Sequence, residues 1–413
     1  IFLKMCVAFL FVLSVVRGVV AEPAKKKLQI FILAGQSNMV GHSYYITIPT
    51  LLTAKEPEVR ELANLVFKKD AKISRAVVED LIATRMKRDE INKSLRAKKI
   101  EGADKIATAQ GEVKKLQAQC DAKMQKIKDT FVVSKQVYIT SIADGNRGSG
   151  PLTVGYGGNR DKIGPEFGFG LSLAQKLDAP ILIIKTSWGG KSLNYNFRPP
   201  SAGPYKLNEK EQTAKNAADI SKNASLNWRM MNEAVHNVLK DLKTHHPAYD
   251  AKVGYDIAGF VWFQGHKDSG AEQSISEYEK HLVNLINDVR KEFKTPKLPV
   301  VVATIGFGGH NMQDKFLRIL KAQMAVGDEK QHPEYAGTVA SVDTRDFWRE
   351  IDESPRNQDY HYHRNAETYM LIGDALGRAM VGLLGGKAEP FPLAPRPKRV
   401  AGKQTAEPSD EEK

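Results

Sequence analysis

Six short runs rich in β-branched and aromatic residues recur along the chain, at 28–34, 137–142, 180–186, 257–263, 298–304 and 337–342. They are apolar almost throughout instead of alternating with polar residues, the pattern of a strand buried on both faces. Between them lie segments at 167–177, 228–244, 275–293, 314–326 and 366–384 whose apolar residues recur three or four apart. That is the period of a helix with one face on a core. Strands alternating with helices predict an α/β chain with a parallel sheet covered on both sides. In such sheets ligands collect at the carboxyl ends of the strands.

The segment 67–131 interrupts this alternation. It has no proline and is dense in Lys, Glu, Ala and Gln. Val113, Leu116, Cys120, Met124 and Ile127 share one helix face, and Val77, Val78, Leu81, Ile82, Met86, Ile91 and Leu95 form a looser face upstream. Gly102 and Asp104 mark a turn between them. The reading is a long, coiled-coil-like helical hairpin inserted between the first and second sheet strands, serving as a packing arm or as a surface for self-association.

The remaining boundaries come from composition. Residues 1–21 read as a signal peptide: Lys4 precedes the apolar run 6–16, and Val19, Val20 and Ala21 form a small-residue cleavage site. The expectation is a secreted or periplasmic chain with no stable membrane span once the leader is removed. Residues 22–66 and 132–386 are read as one domain built from these strands and helices, and 387–413, a mixture of Pro, Lys, Glu and Ala, reads as a disordered tail. Of two cysteines, Cys6 lies in the leader and Cys120 in the insertion, so no internal disulfide and no cysteine-rich zinc site is expected. The net charge of +13 is spread over the insertion and tail without a basic-aromatic motif, and nucleic acid is not expected as a partner.

Four strand ends carry residues of chemical interest. Gly35-Gln36-Ser37-Asn38 follows the first strand, where Ser37 is either a nucleophile beside a helix N-terminus or only a helix cap. Ser187-Trp188-Gly189-Gly190 follows the third, where glycine lets a backbone N–H approach a ligand. Gln264 ends the fourth and offers an amide donor. The segment Asp359-Tyr360-His361-Tyr362-His363 precedes the last helix. If it is extended, His361 and His363 point the same way, and Asp359 stands close enough to orient His361. A nucleophile, oxyanion donors and a base are the parts of an acyl-transfer site.

These residues resemble the carbohydrate-esterase branch of the SGNH hydrolases, the sialate O-acetylesterase and acetylxylan esterase group. The matching pieces are LAGQSNMVG (33–41), IGPEFGFG (163–170), IIKTSWGGKSL (183–193), FRPPSAG (197–203), GFVWFQGHKD (259–268) and HYHRNAETYMLIGDALG (361–377). The resemblance implies a flavodoxin-like three-layer α/β/α sandwich and hydrolysis of acetyl esters on carbohydrate without metal or other cofactor. It implies Ser37 as nucleophile and the Ser37 N–H, Gly190 (or Gly189) and Gln264 as the oxyanion hole. His361, with His363 as the alternative, is the expected base. Asp359 is the expected acid, with Asp268 or no acid at all as alternatives. Gln36, Asn38, Arg198 and Asp268 are expected to contact substrate, or Arg198 to brace its loop by an ion pair with Glu166. Related chains often read Trp-x-Gln-Gly-Glu, whereas here His266 replaces the glutamate. That departure motivates a second expectation, a carbohydrate-binding protein on the same scaffold without turnover.

Overall fold

The computed structural model describes residues 25–387. The leader expected at 1–21 and nearly all of the expected tail lie outside the described residues. The chain forms a seven-stranded sheet: β1 (Leu28–Gly35), β2 (Val137–Ala143), β3 (Asn146–Pro151), β4 (Ile181–Ser187), β5 (Tyr255–Phe263), β6 (Val300–Ala303) and β7 (Val339–Val342), in the order β3-β2-β4-β1-β5-β6-β7. All neighbours are parallel except β3, which runs antiparallel to β2 at one edge. The expected α/β sandwich is present. The antiparallel strand was not expected, because its sequence, Asn-Arg-Gly-Ser-Gly-Pro, carries none of the apolar signal of the others. An edge strand needs only its partner's hydrogen bonds and buries little.

Every residue of β4 is buried, so both faces of the sheet are covered. The main helices are α1 (Ser37–Val40), α2 (Pro57–Val66), α3 (Arg75–Arg96), α4 (Ala103–Lys128), α5 (Glu166–Lys176), α6 (Leu226–Lys240), α7 (Tyr278–Glu292), α8 (Asp314–Val326) and α9 (Ala366–Leu383). Helices α5 and α9 cross closely. A Cβ on Gly168 would lie 2.6 Å from the Met370 carbonyl oxygen, and one on Gly373 would lie 2.3 Å from that of Pro165. Gly168 therefore serves helix packing.

Helices α3 and α4 form the inserted hairpin. Its base is closed by an antiparallel bridge between Phe67 and Phe131, whose rings stack at 5.2 Å. Leu81, Leu116, Cys120 and Ile127 are buried within or beneath it.

The register of the central strands sets where the loops emerge. Gly35 at the end of β1 pairs with Ser187 on β4 and with Phe263 on β5. The three segments that continue beyond these residues therefore leave the sheet at one level. Since β2 and β4 lie on one side of β1 and β5 to β7 on the other, this level is also the topological switch point. A Cβ on Gly35 would lie 2.1 Å from the Phe263 carbonyl oxygen, so only glycine permits this approach.

Beneath that level sits a fully buried ion pair. Lys185 Nζ on β4 donates to Glu166 Oε2, to the Val40 carbonyl and to the Tyr156 carbonyl, each at 2.8 Å. Glu166 Oε1 accepts from Gly164 N–H at 2.9 Å. The lysine thus ties the end of α1 to the Tyr156 loop and to the first residue of α5. Removing one member of such a pair strands a buried charge. Lys185→Met is expected to lower unfolding free energy by about 3–5 kcal/mol in urea denaturation. A loss below about 1 kcal/mol would contradict the assigned role of the pair.

Candidate active site

Ser37 is the first residue of α1, with Gln36 at the N-cap position, whose side chain makes no cap bond. Ser37 is therefore not a helix cap. Met39 and Val40 N–H groups donate to the Gln36 carbonyl, whereas the Ser37 N–H meets no acceptor among the described residues. Gly190 has φ +64 and its N–H is likewise unpaired among the described residues. The Gly189 N–H is already committed, donating to Asp144 Oδ2 at 2.7 Å. Of the two glycines, Gly190 retains a free donor.

Ser37, Gly190 and His361 line one cavity of about 570 Å³, together with Gln36, His42 and His266. The segment carrying His361 is not extended. It is a tight turn in which Tyr362, His363 and Arg364 take the left-handed conformation at φ 50, 51 and 57. A run of three such non-glycine residues is strained, and packing holds it: Tyr362 is fully buried and its hydroxyl accepts from Gly306 N–H. The turn sends the two histidines apart. His361 faces the cavity, whereas His363 packs on Trp348 at 4.7 Å and accepts at Nδ1 from the Gln358 N–H. The expectation that both point the same way is corrected.

Several expected site residues act as ties. Asn38 is buried away from the cavity, donating through Nδ2 to the Tyr360 carbonyl at 3.1 Å and accepting at Oδ1 from the Tyr369 hydroxyl at 2.9 Å. It clips the Ser37 turn to the His361 turn and is not among the residues that line the cavity. Gln264 Nε2 is surrounded by Asp268 Oδ2 (2.6 Å), the Lys191 carbonyl (3.0 Å) and Gln36 Oε1 (3.1 Å). Its two hydrogens are already used, which corrects the expected oxyanion role. Asp268 accepts from Leu193 N–H and Asn194 N–H at 2.8 Å, and burial pushes its carboxyl up to about 6. It locks the loops after β4 and β5 together, lies outside the cavity lining and makes no hydrogen bond to His361. Arg198 donates to the carbonyls of Gly203, Ala202 and Asn194 and to Asn194 Oδ1. It braces its loop through backbone oxygens and not through Glu166, which belongs to Lys185.

No hydrogen bond joins Asp359 to His361. Asp359 Oδ1 accepts from the Tyr360 N–H at 2.7 Å, and its charge acts on His266 and His363. His361 Nδ1 is buried without a partner among the described residues. The nitrogen left facing the cavity is Nε2. Desolvation, then the neighbouring His42, Arg364, His266 and Lys162, hold the ring down to about 2. The imidazole is therefore neutral, without a carboxylate behind it.

Sequence reasoning missed His42, whose ring stacks on His361 at 4.1 Å and 9°. It also missed the cavity's charge. Lys162, Lys267, Lys315 and Arg364 line it, and no Asp or Glu does. These four residues are scattered over the chain, so no local motif announces them. Among the described residues, no cluster of His, Cys, Asp or Glu is suited to hold a metal ion.

Residues 111–382 match the family model described as carbohydrate esterase, sialic acid-specific acetylesterase. The match includes Gly190 and His361 and begins after Ser37. No curated protein matches the chain. Among solved structures, a protein from Arabidopsis thaliana aligns at TM-score 0.44 and 16% identity, over 86% of this chain and 98% of that one. A carbohydrate acetylesterase from Xanthomonas citri aligns at 0.42 and 11%, over 87% and 57%. NanS aligns at 0.37 and 11%, over 84% and 89%.

The low value for His361 fixes the sign of a pH effect. The unfolded chain takes up a proton near pH 6.5 that the folded ring refuses. This contribution to stability is therefore full above that pH and is lost as pH falls toward the folded value. Between pH 6.5 and 5 the loss from His361 is about 2 kcal/mol. His361→Gln is expected to remove that part of the drop in urea unfolding free energy. An identical drop in wild type and variant would contradict the buried, neutral state of His361.

Proposed function

The chain belongs to the carbohydrate esterase family of the sialic acid-specific acetylesterases, and on that premise we propose that it is a secreted serine esterase that removes O-acetyl groups from carbohydrates. The observation that carries this reading is the meeting of Ser37 and His361 in one cavity beside two unpaired N–H groups. In the proposed reaction Ser37 Oγ attacks the acetyl carbonyl carbon and its proton passes to His361 Nε2. The Ser37 and Gly190 N–H groups hold the oxyanion. The bond to the sugar oxygen then breaks, and His361 returns the proton to that oxygen. Water, deprotonated by the same ring, releases acetate from Ser37. The described site supports a Ser-His dyad, since neither Asp359 nor Asp268 contacts the ring.

Four cations around the cavity and no acid among its lining residues favour a sugar bearing a carboxylate, in keeping with the family's description. Secretion rests on the leader read from residues 1–21. One observation favours the second reading, a sugar-binding protein without turnover: His266 stands where related chains often carry glutamate.

Acetate release from an O-acetylated sialic acid and from p-nitrophenyl acetate separates the two readings. Ser37→Ala and His361→Ala are expected to abolish release, while Asp359→Asn and His363→Ala retain it within about threefold. Equal rates in wild type and Ser37→Ala would leave only the binding reading. The double variant Lys267→Ala/Lys315→Ala is expected to raise KM for the acidic sugar roughly threefold to tenfold and to leave p-nitrophenyl acetate unaffected. An equal change on both substrates would argue against recognition of an anion.

A further inference from the structure

The usual partner of a catalytic histidine is a carboxylate that fixes the ring's plane and tautomer. His361 has none. What it has is His42, stacked face to face at 4.1 Å with the planes 9° apart. The two rings come from different elements. His42 follows the glycine that ends α1, and His361 lies in the turn before α9.

Each ring is held in place by its own backbone. A Cβ on Gly41 would lie 2.3 Å from Gly164 Cα, and the Gly158 N–H donates to the Gly41 carbonyl at 2.8 Å. Ser43, on the other side of His42, pairs with Ile163 in a two-stranded ladder. The His361 turn is fixed by its left-handed residues and by Asn38, which grips the Tyr360 carbonyl. The Tyr360 ring lies against His361 at 4.5 Å and 60°, so it does not supply a second parallel face. The stack is therefore built from pinned backbone on both sides.

Resting on the esterase reading above, we infer that His42 is a positioning residue that takes over the orienting role of a triad acid, holding the plane of His361 by its ring face and not by a hydrogen bond. Both Nδ1 atoms are buried and unpartnered among the described residues. No hydrogen bond passes between the rings. The stacking face does two things. It stops the imidazole from rotating, and it keeps water off the face of the ring that it covers. Burial, Lys162, Arg364 and Lys185 hold His42 down to about 3, so it is neutral whenever the site works. The groups facing His361 are His42, Arg364, His266 and Lys162, and they leave no carboxylate to take over the role.

A ring face and a nitrogen predict different variants. His42→Phe keeps the face and loses the nitrogens, whereas His42→Ala loses both. Wild type and both variants are compared by kcat for p-nitrophenyl acetate over pH 4–9, and by NMR titration of the His361 ring, which needs no turnover. His42→Ala is expected to lower kcat about tenfold. It also admits water to His361, so the ring's titration and the acid limb of kcat move upward toward 6.5. His42→Phe is expected to restore kcat to within about threefold of wild type and to return the titration to low pH. A kcat in His42→Ala equal to wild type, an unmoved titration, or a His42→Phe variant as impaired as His42→Ala would each overturn the inference. Failure of the esterase reading is distinct: it is wild-type release equal to that of Ser37→Ala, and the ring titration then still decides whether His42 governs His361.

Discussion

The site exists because three parallel strands end in register. Gly35 lies between Ser187 and Phe263, and the missing side chain at Gly35 allows β1 and β5 to stay paired up to their last residues. Ser37, Gly190 and the loop after β5 then leave the sheet together. A bulkier residue at 35 would force β1 away from β5 and lower the serine relative to its donors. The buried pair of Lys185 and Glu166 secures the same level from below, since it holds the end of α1 through the Val40 carbonyl. Such a pair is not a strong source of stability in itself. Its value here is geometric, because one lysine reaches three segments at a single buried point.

Around this frame most conspicuous polar residues work as ties. Gln36, Gln264 and Asp268 form one chain of hydrogen bonds across the loops after β1, β4 and β5. Asn38 joins the serine turn to the histidine turn. Polar residues at strand ends are buried beside loops whose own N–H and carbonyl groups need partners, and an unpaired buried group is costly. That demand competes with substrate binding for the same side chains. The cavity is lined by Ser37, His361, His42, His266 and a set of cations.

The sheet, its helices and the inserted hairpin were legible in the sequence because their apolar periods are long and uninterrupted. The antiparallel β3 was not, since Asn146 to Pro151 is polar and glycine-rich and pairs at an edge. At the site, Ser37 stood out through the strand and glycine that precede it. The direction of the histidines did not, because three left-handed residues in a row reverse an alternation that an extended segment would have kept. His42 was invisible for another reason. Its partner is more than three hundred residues away, and a stacking contact leaves no spacing rule in the sequence. The same holds for Gln264 and Asp268, whose residue types suit both catalysis and bracing and whose roles are decided by what surrounds them.

If the site works as proposed, Ser37, and no other hydroxyl, is the activated nucleophile of this cavity. Intact-mass and peptide mass spectrometry after incubation with a small fluorophosphonate test this most directly, because the reagent marks a serine that a neighbouring base deprotonates. The expected result is one adduct per chain, located on Ser37, lost in Ser37→Ala and formed far more slowly in His361→Ala. No adduct on the wild-type protein, or an adduct that persists in Ser37→Ala, would contradict it.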